Sequence, residues 1–197
     1  MSADFPRQAD YPIDPQFLTR WSRRSFNGEA VPEADLKTIF EAARWAPSSS
    51  NAQPWRFLYA RAGTDNFKLF LDQLMPFNQM WAHKAGVLIL ALSHTTMERQ
   101  GQLITSESHG FDAGAAWQNL ALQAHILGYN TRGMGGFFRD KAREALKVPA
   151  DYELQAFIAL GKPGKLEDLP TDFQSREVPT ERKNLDELVF EGAFPSA

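Results

Sequence analysis

Cysteine is absent from the 197 residues. That excludes disulfide stapling, thiol catalysis, iron–sulfur clusters and cysteine-based zinc sites, and it fits a reducing compartment. Long apolar runs are absent too. The longest, Ala85–Ser93, spans nine residues, far short of the ~20 that cross a bilayer. The N-terminal stretch Met1–Pro15 is polar and lacks the apolar core of a secretory signal. A soluble, cytoplasmic protein is expected. Charge of one sign is not in strong excess: 21 Lys+Arg against 24 Asp+Glu give a net charge of −3. Bulk binding to nucleic acid or acidic membranes therefore has no electrostatic basis, although a local basic cluster can still hold one anion. The four histidines, His83, His94, His109 and His125, show no metal-ligand spacing, and neither a Ser-His-Asp arrangement nor a carboxylate pair stands out. Hydrophobic residues at 43% and charged residues at 23% place the chain among ordinary globular proteins, not among disordered, collagen-like or coiled-coil ones.

Along the chain, residues 1–13 read as an extended arm. Asp14-Pro15 is a fitting start for a short helix through about Trp21. Leu36, Ile39, Phe40 and Ala43 recur at helical spacing and predict a helix from Glu33 to Trp45, ended by Pro47. Ser48–Pro54 reads as a loop, Trp55–Arg61 as a strand, and Asn66–Leu74 and Phe77–His83 as helices. Ala85–Ser93 predicts a central strand with both faces covered. His94–His109 is polar and weakly patterned, a candidate flap. Gly110–Gly128 predicts a long helix apolar almost all round, which must be buried on every side. One chain with one sheet has little room for that, so a homodimer with a large interface is expected. Asn130–Gly136 reads as a strand entering a glycine turn, Arg139–Leu146 as a helix and Tyr152–Leu160 as a strand. The C-terminal extension, residues 162–197, is Pro-rich and polar and needs a partner surface to order it.

Four segments carry candidate chemistry. Arg20-Trp21-Ser22-Arg23-Arg24-Ser25 sets three guanidiniums and two hydroxyls together, as a phosphate site would; a solvated basic helix end is the alternative. Pro47-Ser48-Ser49-Ser50-Asn51-Ala52-Gln53-Pro54-Trp55 lets backbone approach a planar ligand while amides read its edge; an ordinary turn is the alternative. Gly133-Met134-Gly135-Gly136-Phe137 exposes backbone N–H groups, without the spacing of a dinucleotide-binding fingerprint. Arg182-Lys183 is a basic pair in the tail.

In this order and spacing, the segments resemble the FMN-dependent nitroreductase family. Arg20, Ser22, Arg24 and Phe26 match its opening motif. Ala46 through Trp55 match its second motif at every position. Asp112-Ala113-Gly114 through Gly128 looks like its interface helix, Gly133–Phe137 like its flavin turn, and Gly161-Lys162-Pro163 with Arg182-Lys183 like its C-terminal signature. Two positions depart from the pattern: Trp81 stands where some members carry a basic residue, and Gly135 where some carry Glu. The resemblance implies an α+β fold, a central mixed β-sheet flanked by helices, and a single domain over residues 1–197. It implies a homodimer with two FMN sites. Arg20 and Ser22 would hold the phosphate, joined by Arg182 or Lys183, with Trp21 among the cofactor-binding residues, and Arg24 would lie near the ribityl chain or the pyrimidine end. Pro47, Ser48, Ser49 and Asn51 would approach from the other subunit, and Gln53 would be a further cofactor-binding residue. Asn78 would meet the pyrimidine edge, and Gly133, Gly135 and Gly136 would form the turn, an N–H of Gly135 or Gly136 facing N5. The implied reaction is a ping-pong transfer of hydride from NAD(P)H through N5 to a nitroaromatic, quinone or similar electrophile, with no protein nucleophile and no metal. A non-catalytic flavin carrier or sensor is the alternative. A polyanion-binding module is the third reading, opposed by the net charge.

Overall fold

The computed structural model describes residues 7–195, so the first six residues of the expected arm and the last two of the extension lie outside the described residues. Strand β2 (Val87–His94) is the centre of a sheet ordered β1 (Trp55–Arg61), β2, β6 (Tyr152–Gly161), β5 (Asn130–Met134). All but its last residue are buried, as the apolar run requires. Its side chains alternate with period two. Leu88, Leu90 and Leu92 enter one core with Leu154, Phe157 and Trp81; Val87, Ile89 and Ala91 enter the other with Ile158 and Leu160. Each fully buried Leu or Ile is worth ~1.5–3 kcal/mol over exposure, and a one-residue slip would turn the whole set to the wrong face. The register is thereby set, with Leu90 opposite Leu58 on one side and Phe157 on the other.

Helices α3 (Asp65–Leu71), α4 (Pro76–Ala82) and α6 (Arg139–Ala145) close the first core through Phe67, Phe70, Trp81 and Ala142. Thr64 caps α3 by accepting the Phe67 N–H at 3.2 Å, and Pro76 opens α4. Helices α2 (Glu33–Arg44) and α5 (His109–Ile126) close the second core through Leu36, Ile39, Ala116 and Leu120.

Several expectations need correction. The sheet is antiparallel at every pairing, not mixed. Strands β2 and β5, joined across helix α5, do run the same way, but β6 inserts between them and no parallel neighbours result. The first helix, α1 (Gln16–Thr19), is shorter than expected: Asp14 Oδ1 accepts the Gln16 N–H at 2.9 Å, yet Arg20 already leaves with ψ of 124°. So short a helix gains little from propagation, and tertiary contacts take over the chain beyond it. The polar stretch after β2 is a hairpin, β3 (Thr96–Arg99) and β4 (Gln102–Thr105). Gln100 and Gly101 turn it, both left-handed at φ of 54° and 77°, the two-residue turn that matches strand twist. Helix α5, as expected, is not covered on every side within one chain: Phe111 is 85% and Ile126 63% exposed. In the extension, α7 (Thr171–Gln174) buries Phe173 against Phe77, while Val178, Leu185, Leu188 and Val189 are exposed. Among the described residues no helix is long and apolar enough to cross a membrane.

The segment after α1 is annexed by the exit of β6. Phe26 bridges Pro163, Asn27 N–H donates to Lys162 O at 3.2 Å, and Gly164 N–H donates to Ser25 O at 3.1 Å. The approach at Gly164 is so close that a Cβ there would lie 2.5 Å from the backbone C and O of Phe26. Gly164→Ala is therefore expected to lower stability by ~1–3 kcal/mol, read by urea unfolding, and to displace the arginine-rich segment that Phe26 anchors.

Candidate functional site

The chain from Arg20 to Ser25 runs extended from the end of α1 and forms one wall of a cavity of about 220 Å³. Six arginines line it: Arg7, Arg20, Arg24, Arg132, Arg176 and Arg182. Trp21, Ser22, Val178 and Thr180 complete the lining, with no carboxylate among them. The like charges register on one another. Burial, then Arg7 and Arg182, hold the Arg20 pKa below its ordinary value. Burial, then Arg24, lower Arg132 to about 10, against a smaller opposing pull from Glu177. Trp21 Nε1 and Arg24 Nε are buried without a hydrogen-bond partner among the described residues. A multiply charged oxyanion relieves the repulsion and accepts such donors at once.

Sequence reasoning missed four residues here. Arg7 ties the arm to the tail, donating from Nε to Thr180 O at 2.9 Å and from Nη1 to Leu18 O and Arg20 O. Arg176 comes from the tail. Glu177 holds the wall in place, its Oε1 accepting from Arg24 N at 2.6 Å, Ser25 N at 2.9 Å and Ser25 Oγ at 3.1 Å. Its Oε2 pairs with the Arg24 guanidinium at 3.5 Å, and the two side chains are only 4% and 11% exposed. Arg132 projects from β5 and donates to Ser22 O at 2.5 Å. Only Arg132 carried a signal, a charged residue inside an otherwise uncharged strand. Of the expected tail pair, Arg182 lines this cavity, whereas Lys183 lines the neighbouring groove between arm and tail.

The glycine turn follows β5. Gly136 O accepts from Met75 N at 3.1 Å and from Asn78 Nδ2 at 2.9 Å. Asn78 thus holds the turn with its amide nitrogen and keeps its oxygen for another partner. The N–H groups of Gly135 and Gly136 make no hydrogen bond to the described residues, and a Cβ on Gly135 would meet open space. Gly133 instead faces α5, its would-be Cβ 3.6 Å from the Trp117 ring. Arg132 links turn and cavity, its guanidinium 5.7 Å from the centre of the Trp81 ring.

The serine loop lies elsewhere. Ser50, Asn51 and Gln53 all adopt left-handed backbone, at φ of 50°, 55° and 48°, each a conformation that costs ~1–3 kcal/mol for a non-glycine residue. Hydrogen bonds hold it: Ser48 Oγ accepts Gln53 N–H at 3.0 Å, and Gln53 Nε2 donates to Asn51 O at 3.0 Å. The buried carboxylate of Asp112 accepts Ser49 N–H at 3.2 Å and Ser108 Oγ–H at 3.1 Å. Pro47 precedes this loop, pinned at the N-terminal end of α5. The arginine segment is pinned at the other end, where Thr19 Oγ1 meets His125 Nε2 at 2.8 Å. Burial and the charges of Arg20 and Arg23 lower the His125 pKa, which favours the neutral ring. Asp112 and His125 stand thirteen residues apart on one helix, or ~20 Å. One chain therefore brings Arg20, Trp21, Ser22, Arg24 and Arg182 together, with the glycine turn beside them. It does not bring Ser48, Ser49, Asn51 or Gln53 to the same place.

The nitroreductase family model matches residues 18–64 and 59–162 of this chain. An NADH dehydrogenase of Thermus thermophilus is 29% identical over 191 residues, covering 84% of this chain and 91% of its own. Among solved structures, an oxidoreductase containing FMN is 45% identical over the full length of both chains, with a TM-score of 0.94. A protein of Desulfovibrio desulfuricans crystallised in complex with FMN is 29% identical, with a TM-score of 0.71 over 95% of this chain and all of that one.

The cavity makes a prediction that needs no organic ligand. Inorganic phosphate is expected to raise the melting temperature well beyond sodium chloride at equal ionic strength, adding about 2.7 kcal/mol at about 100 times its dissociation constant. Calorimetry with phosphate against sodium chloride reads the effect.

Proposed function

The chain belongs to the nitroreductase family, and from that premise we propose an FMN-dependent NAD(P)H oxidoreductase whose two sites are each built by two copies of the chain. Donor and acceptor use each site in turn, the acceptor being a nitroaromatic, a quinone or a similar small electrophile. The observation that carries this reading is the arginine cavity, which a phosphate monoester completes, opening beside a turn with two free N–H groups. Residues 1–197 act as one domain, with arm 1–13 and extension 162–197.

Bound FMN supplies a ring that accepts hydride from NAD(P)H and passes the electrons on. The protein's part is to bind and orient. Arg20, Ser22 and Arg182 hold the phosphate, with Trp21 in the same wall. Lys183 stands near it on the tail. Arg24 keeps the wall rigid through Glu177. Gly135 and Gly136 offer N–H groups to the reacting edge of the ring, and Asn78 both fixes that turn and presents its side-chain oxygen. Gly133 lets the strand lie close on Trp117. The strained loop, with Pro47, Ser48, Ser49, Asn51 and Gln53, serves the site of the opposite subunit. A two-fold axis that sets two α5 helices antiparallel brings the N-terminal end of one beside the C-terminal end of the other. It also covers Phe111 and Ile126, which one chain leaves exposed.

The purified protein is expected to show a flavin absorption band that bleaches anaerobically on addition of NADH or NADPH. A colourless protein that takes up no added FMN would sink the reading. Arg20→Ala and Arg182→Ala should lose flavin while the circular dichroism stays native. The shared site is tested by mixing. Arg20→Glu and Asn51→Ala dimers, each impaired in both sites, should regain about a quarter of wild-type sites when unfolded and refolded together. Half the dimers are then mixed, and each of those holds one intact site. No regain would mean that each site lies within one chain.

A further inference from the structure

Arg24 and Arg132 both line the cavity, but their charges are not equivalent. Arg24 is buried against Glu177, donates to Arg176 O at 3.3 Å and lies 5.7 Å from the Phe173 ring centre. Its guanidinium is tied up in an ion pair where it stands. Arg132 takes part in no ion pair among the described residues. A single backbone carbonyl, Ser22 O, accepts from its Nη1, and the Trp81 face lies against the guanidinium. That ring is itself only 1% exposed and stacks on Phe26, so the support is rigid.

Placement adds to charge. Strand β5 leads from the cavity wall into the glycine turn, and Arg132 is three residues before Gly135. Met134, two residues on and on the same face of the strand, enters the core that holds Trp81. Trp81 in turn sits one helical turn after Asn78, which grips Gly136 O. Arg132 therefore stands where the arginine-lined cavity meets the strand that leads to the turn.

Resting on the flavin reading above, we propose that Arg132 is the uncompensated cation at the pyrimidine end of the flavin and sets how readily the ring is reduced. Hydride transfer from NAD(P)H brings two electrons and one proton to N5, and the remaining negative charge spreads over N1 and O2. A fixed guanidinium there stabilises that anion. Arg24 acts instead as a structural tie, since its charge is already answered by Glu177.

The test uses flavin-loaded wild type, Arg132→Gln and Arg132→Lys. Dye equilibration gives the midpoint potential of the bound flavin, and flavin fluorescence gives the dissociation constants of FMN and of riboflavin. Arg132→Gln is expected to shift the potential to a more negative value and Arg132→Lys to shift it less, with the FMN-to-riboflavin affinity ratio as in wild type. An unchanged potential in Arg132→Gln overturns the proposal. So does a fall of about tenfold or more in the preference for FMN over riboflavin, which would put the guanidinium on the phosphate. Should Arg132→Gln lose its native circular dichroism, Arg132→Met, whose apolar stem still covers Trp81, carries the same measurement and the same criteria. A wild-type protein that takes up no FMN overturns the flavin reading itself, and this proposal with it.

Discussion

Repulsion among six guanidinium groups is the constraint around which one half of this molecule is arranged. Like charges in a half-buried space are unfavourable, because water that would screen them is partly excluded. The fold answers in three ways. Glu177 neutralises Arg24 within the wall. Backbone carbonyls of Leu18, Arg20, Ser22 and Thr180 take the donors of Arg7 and Arg132. Aromatic faces of Trp21, Phe173 and Trp81 lie against Arg23, Arg24 and Arg132. A positive surplus is left over, the charge that the proposed phosphate would answer. The arm and the tail leave most of their apolar side chains exposed within one chain, so their course there depends on these polar ties.

Helix α5 is the second organising element. One face builds a core with α2 and the sheet. Its two ends hold the two segments assigned to the proposed site: Asp112 restrains a loop with three left-handed non-glycine residues, and His125 meets the hydroxyl of Thr19 just before the arginine segment. Backbone strain of that kind persists only where surrounding contacts over-determine it. The Asp112 carboxylate, buried and doubly bonded, provides such a contact. The same helix that separates the segments within one chain can reunite them between two chains, because its remaining face is apolar and open.

Much of the fold was legible along the chain. β1 is placed to the residue, α2 to within one, and the central position of β2 follows from its unbroken apolar run. These elements announce themselves through periodicity and composition, which are local properties. The hairpin after β2 was not legible, since its strands are short and mostly solvent-facing, and burial alternation has no imprint on polar residues. Nor was the antiparallel order of the whole sheet. A crossover through α5 is equally compatible with a parallel pair, and only the insertion of β6 decides against it.

The site divides along the same line. By themselves the residues marked which segments carry the chemistry of an anion site and of a planar ligand's edge, because Arg, Ser, Asn and Gly at fixed spacing carry their hydrogen-bonding chemistry with them. Only the tertiary structure decided which of those groups are ion-paired and which are not. Glu177 lies 153 positions from Arg24, and Arg132 reaches Ser22 across 110. Such pairings leave no trace in local pattern, because they are selected by what the packed cores on either side of the sheet bring into contact. The ~20 Å between serine loop and arginine cavity is likewise a property of one helix with both ends engaged, visible only once the chain has folded around it.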